Sequence, residues 1–400
     1  MKKYLIILSS LFIASCASDE KFEDLNRDPN NPTAVSSEAL FTSATKNLFD
    51  QMESTNVNSN IYRLLSQYWT ETTYVDESNY DFNTRAIPQN HWSRIYRDVL
   101  FDLQDAKKLA SNDKQKAMIS VIEVYAWQQM VDTFGDIPYT DALKGAEEPT
   151  PAYTDDAAIY ADLIIRINDA IAKLNGAGAG YTSADIIFGG NTAKWKKFAN
   201  SVKLKLAMRM ADANNTAAQT AAQEAVTAGV LTSNSDNVIL NYLGSTPNTN
   251  PIWVDLVQSG RSDFLPANTI VNFMNAKSDP RRAYYFDNNL GANVYSGANY
   301  GAVSNFASYS HIGTAIHEPT FRGVLVDYSE VRFLLAEAVE RGYAVGGTAA
   351  EHYTAAIEAN MTDWGVASAD IATYLARTDV AYATASGTWR EKIGFQFWLR

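Results

Sequence analysis

The sequence predicts a mostly α-helical fold: one large helical domain with stacked helix pairs and a loop-rich aromatic region that binds a ligand. Three observations support this prediction. Apolar residues recur at helical spacing in many segments of the chain, Gly and Pro residues follow several of these segments as stop signals, and two aromatic-rich segments have no regular period. With 46% hydrophobic residues among 400, the chain can bury a large core.

The helix around which the others are expected to pack precedes Gly135. Its apolar residues form two adjoining faces: Val124, Trp127, Val131 and Phe134 on one, and Met118, Val121, Ile122 and Tyr125 on the other. A helix that is apolar on two faces packs between other helices. Gly135 can take the left-handed conformation that ends a helix, and Pro138 prevents its continuation.

Similar spacing predicts further helices around residues 36–52, 61–68, 95–109, 154–174, 195–206, 265–274, 328–342, 353–357 and 390–400. Ser36 or Ser37 is the expected cap of the first, and Thr154 of the fourth. Six basic residues around the fifth helix are expected to form a solvated face: Lys194, Lys196, Lys197, Lys203, Lys205 and Arg209. The glycine-rich run at 176–180 lacks the lysine of a phosphate-binding loop and is interpreted as a linker.

The pair of helices between Tyr328 and Trp364 resembles a tetratricopeptide unit. Two helices lie within about 34 residues, and small residues such as Ala338 and Ala356 occupy close-contact positions. We therefore expect the helix pairs of this chain to be tetratricopeptide-like and to stack.

Two aromatic segments, residues 68–92 and 253–300, are candidates for ligand-binding loops because long irregular loops in compact domains usually serve a function. Flat aromatic rings can stack on the apolar faces of sugars. An alternative for each ring is that it fills a gap in the core. The candidate ligand-binding residues are Trp69, Tyr74, Tyr80, Phe82, Trp92, Trp253, Phe264, Tyr295 and Tyr300.

The N-terminus has the parts of a secretory signal: Lys2 and Lys3, an apolar run over residues 5–13, and small residues before Cys16. The apolar run is shorter than the roughly 20 residues of a membrane-spanning helix. The four residues ending at Cys16 resemble a lipobox, which predicts a signal peptide at 1–15, a lipidated tether at 16–38 and a helical domain at 39–400. Acyl chains such as palmitate on Cys16 would hold the protein at a membrane.

Composition argues against several classes of function. A formal charge of −12 disfavours nucleic acid. One Cys and four His make a transition-metal site improbable, since His317 is followed by a helix-breaking Pro319 and His311 is its sole close His neighbour. No metal or other cofactor is expected, although structural calcium held by loop oxygens stays an open alternative. No catalytic residues are assigned, because no nucleophile elbow occurs and nearby acids such as Asp132 and Asp136 have ordinary capping roles.

Several segments are similar in sequence to segments of one known family. Residues 132–139 (DTFGDIPY), 24–33, 194–209 and 279–286 resemble segments of the SusD/RagB-like nutrient-binding outer-membrane lipoproteins, and specifically their second SusD-like subgroup. The resemblance implies a non-catalytic lipoprotein, anchored at the outer face of the outer membrane. Its implied partner is a SusC-like TonB-dependent transporter, which receives captured glycan oligomers or another nutrient.

Three other functions fit parts of the sequence. A surface-anchored glycoside hydrolase would share the anchor and the aromatic content, and a peptide-binding member of the same family would share the fold. A periplasmic or cytoplasmic helical-repeat scaffold would require Cys16 to stay unmodified. Family members usually extend beyond a segment comparable to residues 390–400, so we expect the chain to lack part of the terminal region.

Overall fold

A computed structural model describes residues 35–400. The predicted signal peptide, Cys16 and most of the tether lie outside these residues. Helices dominate the described part of the chain. They are α1 Ser37–Glu53, α2 Tyr62–Leu65, α3 Ile87–Ser93, α4 Asp102–Leu109, α5 Asp113–Phe134, α6 Asp156–Leu174, α7 Thr192–Arg209, α8 Asn215–Ala228, α9 Pro251–Trp253, α10 Asn268–Ala276, α11 Arg282–Tyr285, α12 Tyr328–Glu340, α13 Ala349–Asp363, α14 Ser368–Leu375 and α15 Trp389–Trp398. Arg94–Phe101 and Val254–Gln258 are π-helical.

The prediction of a mostly α-helical fold with stacked helix pairs is confirmed. Helix α5 is buried along most of its length, including both predicted faces apart from the half-buried Phe134, and ends at Gly135, where φ is +73°. Consecutive helices pack in pairs, α5 on α6, α7 on α8 and α12 on α13, while α7 also contacts α6 and α12. One hydrophobic core runs through these pairs, and a second lies between α12, α13, α14 and α15.

Three short antiparallel pairs of strands connect distant parts of the chain. They are β1 Trp69–Glu71 with β5 Phe264–Pro266, β2 Ile137–Pro138 with β3 Tyr153–Thr154, and β4 Val238–Leu240 with β6 Gly323–Val326. In the first pair Trp69 lies opposite Pro266 and Glu71 opposite Phe264. This pairing brings the two aromatic segments of the sequence together.

Local predictions were wrong at three places. Thr154 belongs to β3, and the cap of α6 is Asp155, whose carboxylate accepts a hydrogen bond from the Ala158 N–H. Residues 87–92 of the expected loop belong to helix α3. The basic face of α7 is not fully solvated: Lys203 is buried, and Lys205 lies 3.0 Å from the buried carboxylate of Glu330. Burial of a lysine is tolerated when it gains an anionic partner.

The Asp279-Pro280-Arg281 motif forms a buried polar network. The Arg281 side chain is fully buried and pairs with Asp279 at 2.6 Å. It also donates to Asn360 Oδ1 of α13 and Gln396 Oε1 of α15, each at 3.0 Å. Because a guanidinium offers five donors in a rigid fork, one residue connects three elements.

Among residues 35–400, none of the helices is both long enough and apolar enough to cross a membrane.

Candidate functional site

The segment 72–86 leaves the end of β1, and its first residue, Thr72, is held by backbone hydrogen bonds on both sides. The Thr72 N–H donates to the carbonyl of Asp263, and the Thr72 carbonyl accepts from the Ser304 N–H, both at 2.9 Å. Backbone groups paired in this way on both edges fix a loop that has little secondary structure of its own. The start of the segment is therefore fixed relative to both neighbouring strands of chain.

A single turn of 3₁₀ helix, Glu77–Asn79, shapes the middle of this segment. Tyr80 follows it with φ +65°, a left-handed conformation that is uncommon for residues other than glycine. The Asn79 amide donates to the Gly301 carbonyl at 2.8 Å, which joins the turn to the second aromatic segment. As a result Tyr74 and Tyr80 point into solvent, with 61% and 52% of their surfaces exposed.

A pocket of about 370 Å³, here called the loop pocket, opens beside Tyr74. Arg261 lies on its rim, with Nε 2.5 Å from Asp263 Oδ2, and the Arg85 Nε lies 2.5 Å from the buried Glu77 carboxylate. The pocket thus combines one exposed ring with paired cations and carboxylates. Its lining consists of Val57, Glu71, Thr72, Thr73, Tyr74, Arg85, Arg261, Asp263 and Phe264.

The buried carboxyl group of Glu71 lines the loop pocket, and the buried Glu77 is its neighbour. Glu71 Oε2 accepts hydrogen bonds from the N–H and the hydroxyl of Ser78, both at 3.0 Å. Burial, followed by the hydrogen bond with Glu77, raises the pKa of Glu71 to about 8. Glu71 therefore keeps its proton at neutral pH, because two adjacent buried carboxylates cannot both ionise easily.

A second aromatic group, here called the tyrosine ridge, consists of Tyr80, Phe82 and Tyr300. The ring centroid of Tyr80 lies 6.2 Å from that of Phe82 and 6.3 Å from that of Tyr300. The Tyr300 hydroxyl donates to the Leu64 carbonyl at 2.7 Å, which fixes the ring. Three of the predicted ligand-binding residues thus lie together, although they come from both aromatic segments.

The other predicted aromatics do not join this group. Trp69 and Phe264 are 8% and 7% exposed and pack against each other at 5.9 Å, so their rings are mostly core, although Phe264 also lines the loop pocket. Trp92 packs between Tyr96, Phe134 and Tyr153. Tyr295 lies under the Arg282 guanidinium in a separate pocket, and Trp253 is half-buried in α9. Whether any of them contacts a ligand stays a prediction.

Trp69 also borders a central cavity of about 360 Å³ between β6, α13 and α15. Its aromatic walls include Phe321 and Trp364, whose ring centroids are 5.9 Å apart. Its arginines are already paired with acids of the same cavity: Arg63 with Glu53, Arg322 with Asp363 and Arg400 with Asp327. Burial raises the pKa of Asp363 despite the neighbouring Arg322. The arginines are paired with acids in both this cavity and the loop pocket, and the loop pocket differs in presenting the exposed ring of Tyr74.

Sequence reasoning missed the polar residues of the loop pocket. Arg85 and Arg261 lie far apart in the chain and belong to no motif, so their meeting depends on the pairing of β1 with β5. The neighbouring exposed tyrosines were the sequence feature that pointed to this region.

Among the described residues, Asp136, Asp155 and Asp156 form an exposed carboxylate group that could hold a metal. However, Asp136 accepts a hydrogen bond from the Asp156 N–H, and Asp155 caps α6.

A rigid helical scaffold that presents exposed rings beside paired charges defines a binding protein. The match to a family model then gives the particular family. Residues 29–400 match the SusD-like family described as "Starch-binding associating with outer membrane", and the chain belongs to this family. Comparison with curated protein sequences found no match.

Solved structures of similar proteins agree with this assignment. A chitin-binding SusD homologue from Flavobacterium johnsoniae is 25% identical, with a TM-score of 0.77 over 90% of this chain and 83% of that chain. A SusD homologue from Bacteroides uniformis is 27% identical, with a TM-score of 0.72 over 84% and 73%. A Bacteroides vulgatus outer-membrane protein described as probably involved in nutrient binding shares the fold, with 22% identity, a TM-score of 0.78 and coverage of 91% and 84%.

Membership confirms the predicted family and the prediction that the chain is not an enzyme, and it supports the predictions of localisation and ligand class in part. SusD-like proteins are binding proteins, so the chain is not an enzyme. The family is associated with the outer membrane and with carbohydrate binding. Membership does not by itself identify the ligand, the transporter partner or the lipid on Cys16.

Proposed function

We propose that this protein is a lipid-anchored lipoprotein on the outer face of the outer membrane that captures glycan oligomers and delivers them to a SusC-like TonB-dependent transporter. The observation that carries the proposal is the pair of exposed tyrosines on the segment 72–86, with Tyr74 at the loop pocket and Tyr80 in the tyrosine ridge. Family membership supports a glycan as the ligand class, and a solved relative at 25% identity is described as chitin-binding.

The chemistry of the site suits a sugar chain. Tyrosine rings offer flat apolar faces to the CH groups of a pyranose, and they lose little conformational entropy on binding because only two torsion angles become fixed. Arg261, Asp263 and Thr73 at the pocket rim can exchange hydrogen bonds with hydroxyl or acetamido groups. No bond of the ligand is broken in this scheme, so the oligomer leaves unchanged.

Calorimetric titration of the purified protein with chitin, starch and peptide oligomers tests the ligand class. We expect binding to one glycan series. The double variant Tyr74→Ala/Tyr80→Ala is expected to weaken that binding about tenfold or more, because central aromatic residues commonly dominate binding energy.

Tyr153→Ala is the matched control. Tyr153 is 66% exposed but packs beside Trp92, away from the loop pocket. Affinity lost in Tyr153→Ala and retained in the double variant would move the site to Trp92. Binding of peptides in place of glycans would contradict the proposed ligand class, and accumulation of shortened oligomers during incubation would favour a hydrolase.

Delivery is tested by co-expression with a SusC-like TonB-dependent transporter from the same organism. The two proteins should purify together in detergent, and the captured oligomer should be recovered with its original length. Purification of each protein alone under mild conditions would contradict the proposed partnership.

A further inference from the structure

Three side chains at the base of the segment 72–86 form a group here called the carboxyl cluster, which consists of Glu71, Glu77 and Arg85. The Glu77 side chain is fully buried, and the Arg85 Nε lies 2.5 Å from its Oε1. This ion pair joins the middle of the segment to its end and so closes the chain between them into a loop. The proposed function uses the tyrosines of the segment but assigns no role to the cluster.

The charges of the carboxyl cluster balance only when one of its two acids carries a proton. The cluster contains two carboxyl groups and one guanidinium, and the Glu77 oxygens have no hydrogen-bond partner other than Arg85 and Glu71 among residues 35–400. A hydrogen bond between the two carboxyl groups likewise requires a proton on one of them. Ionisation of both groups would leave a buried negative charge without a partner, which costs free energy.

The charged and titratable groups around the carboxyl cluster do not supply a second cation. They come from α2, from the residues before β5, from the segment itself and from the residues after α11, and they are Arg63, Arg261, Asp263, Tyr74, Tyr80 and Tyr300. Both arginines are already paired with acids, Arg261 with Asp263 and Arg63 with Glu53. Burial and the neighbouring Tyr80 raise the pKa of Tyr300, so its hydroxyl stays neutral while Glu71 titrates.

The carboxyl cluster also fixes the backbone that carries the tyrosines. Glu71 accepts both hydrogen bonds from Ser78, so the cluster holds the 3₁₀ turn of the segment against β1. Tyr80 follows this turn, and Ala86 ends the segment, with φ +65° and +51°. Left-handed conformations of this kind cost free energy and persist only where the surroundings hold them. Tyr74 lies between β1 and the same turn, so release of the turn would free both tyrosines.

We propose that the carboxyl cluster, with one proton shared between its two acids, holds the segment 72–86 in the shape that presents Tyr74 and Tyr80 to a ligand. The inference rests on the proposed function, because it concerns how the same site is kept ready to bind. Loss of the proton leaves two carboxylates beside one guanidinium, so the segment loosens and the ligand binds less tightly. Burial raises the pKa of Glu71 to about 8, so binding is strongest below this value and weakens as the pH rises through it.

Calorimetric titration with the glycan series that binds, at about pH 6.5 and about pH 9, measures the effect on the ligand. Because about nine-tenths of the Glu71 groups ionise at the higher pH, we expect the wild-type dissociation constant to rise by up to about tenfold. Glu71→Gln keeps the shape of the side chain and cannot ionise, so the ratio of its two dissociation constants should be about one. Glu358→Gln, at an exposed position on α13, is the matched control and should show the wild-type ratio.

Hydrogen–deuterium exchange of the same proteins tests the segment without any ligand. Labelling times are scaled so that the chemical exchange rate is equal at the two pH values. We expect the amides of residues 72–86 to exchange faster at the higher pH in wild type and equally slowly at both in Glu71→Gln. Arg85→Gln removes the cation of the cluster, so its segment should exchange faster already at the lower pH. The buried amides of α5 serve as the internal reference and also show that each variant is folded.

Several outcomes would overturn the inference. If exchange in residues 72–86 of wild type does not change with pH, the proton does not hold the segment, while glycan binding would leave the proposed function intact. If exchange changes but wild type and Glu71→Gln lose affinity equally at the higher pH, the cluster supports the fold and does not position the site. If wild type binds no glycan at either pH, the proposed function falls, and the exchange measurements still confirm or overturn the proton-dependent hold on the segment.

Discussion

Residues of one type have different roles in this protein because their surroundings differ. Trp69 and Tyr74 lie five positions apart in the same aromatic segment, yet Trp69 is packed against Phe264 and Tyr74 is 61% exposed. Residue type alone predicted a ligand-binding role for both. The pairing of β1 with β5 buries the first, and the 72–86 segment presents the second.

At the same scale, Glu71 should make stability depend on pH. Its folded-state pKa is raised to about 8, mainly by burial, whereas an unfolded glutamate titrates near 4.3. The stabilisation by the protonated Glu71 side chain is therefore fully present at pH values below the pKa of the unfolded state, and it is lost as the pH rises through about 8. Glu71→Gln preserves the shape of the side chain and removes this titration.

We expect Glu71→Gln to raise the free energy of unfolding at pH 8 by on the order of 1 kcal/mol, with a smaller effect at pH 5. Urea unfolding of both proteins at the two pH values measures the difference. Glu358→Gln, at an exposed position on α13, should not alter the pH dependence. An identical pH dependence in wild type and Glu71→Gln would show that Glu71 is ionised in the folded state.

At the scale of elements, apolar periodicity identified the large helices and missed others. Helices α5, α7 and α12 carry large apolar residues at regular spacing and were predicted. Helix α8 buries alanines, including Ala218, Ala221, Ala222 and Ala225, and alanine gives a weak apolar signal although it favours helix. Helix α14 was also missed, because it is too short to show a long apolar pattern.

The end of α5 depends on one glycine. Gly135 has φ +73° and ψ −127°, a region that residues with a side chain rarely enter, and a Cβ there would meet no atom within 4 Å. Gly135→Ala should therefore lower the free energy of unfolding by about 1–3 kcal/mol through backbone strain alone. Gly394→Ala, inside α15, should be neutral or stabilising by up to about 1 kcal/mol. Denaturant unfolding compares the two; equal effects would mean that the α5 terminus relaxes without strain.

At the scale of the whole molecule, the predicted anchor would place the binding surface at the membrane. We expect Cys16→Ser to abolish incorporation of labelled palmitate and to move the protein from the membrane fraction to the soluble fraction, because stable anchoring requires acyl chains. Ser18→Ala keeps the acceptor and should remain membrane-bound. Unchanged membrane association of Cys16→Ser would contradict the lipobox prediction.

The sequence by itself determined the helical class, the packing of α5 on two faces and the family, because apolar periodicity and short motifs are local and survive divergence. Only the tertiary structure decided which rings are exposed, how Arg85 and Arg261 meet in the loop pocket, and that the half-buried Lys205 pairs with the buried Glu330. The physical reason is that burial and charge pairing depend on contacts between residues far apart in the chain. A local pattern cannot specify those contacts.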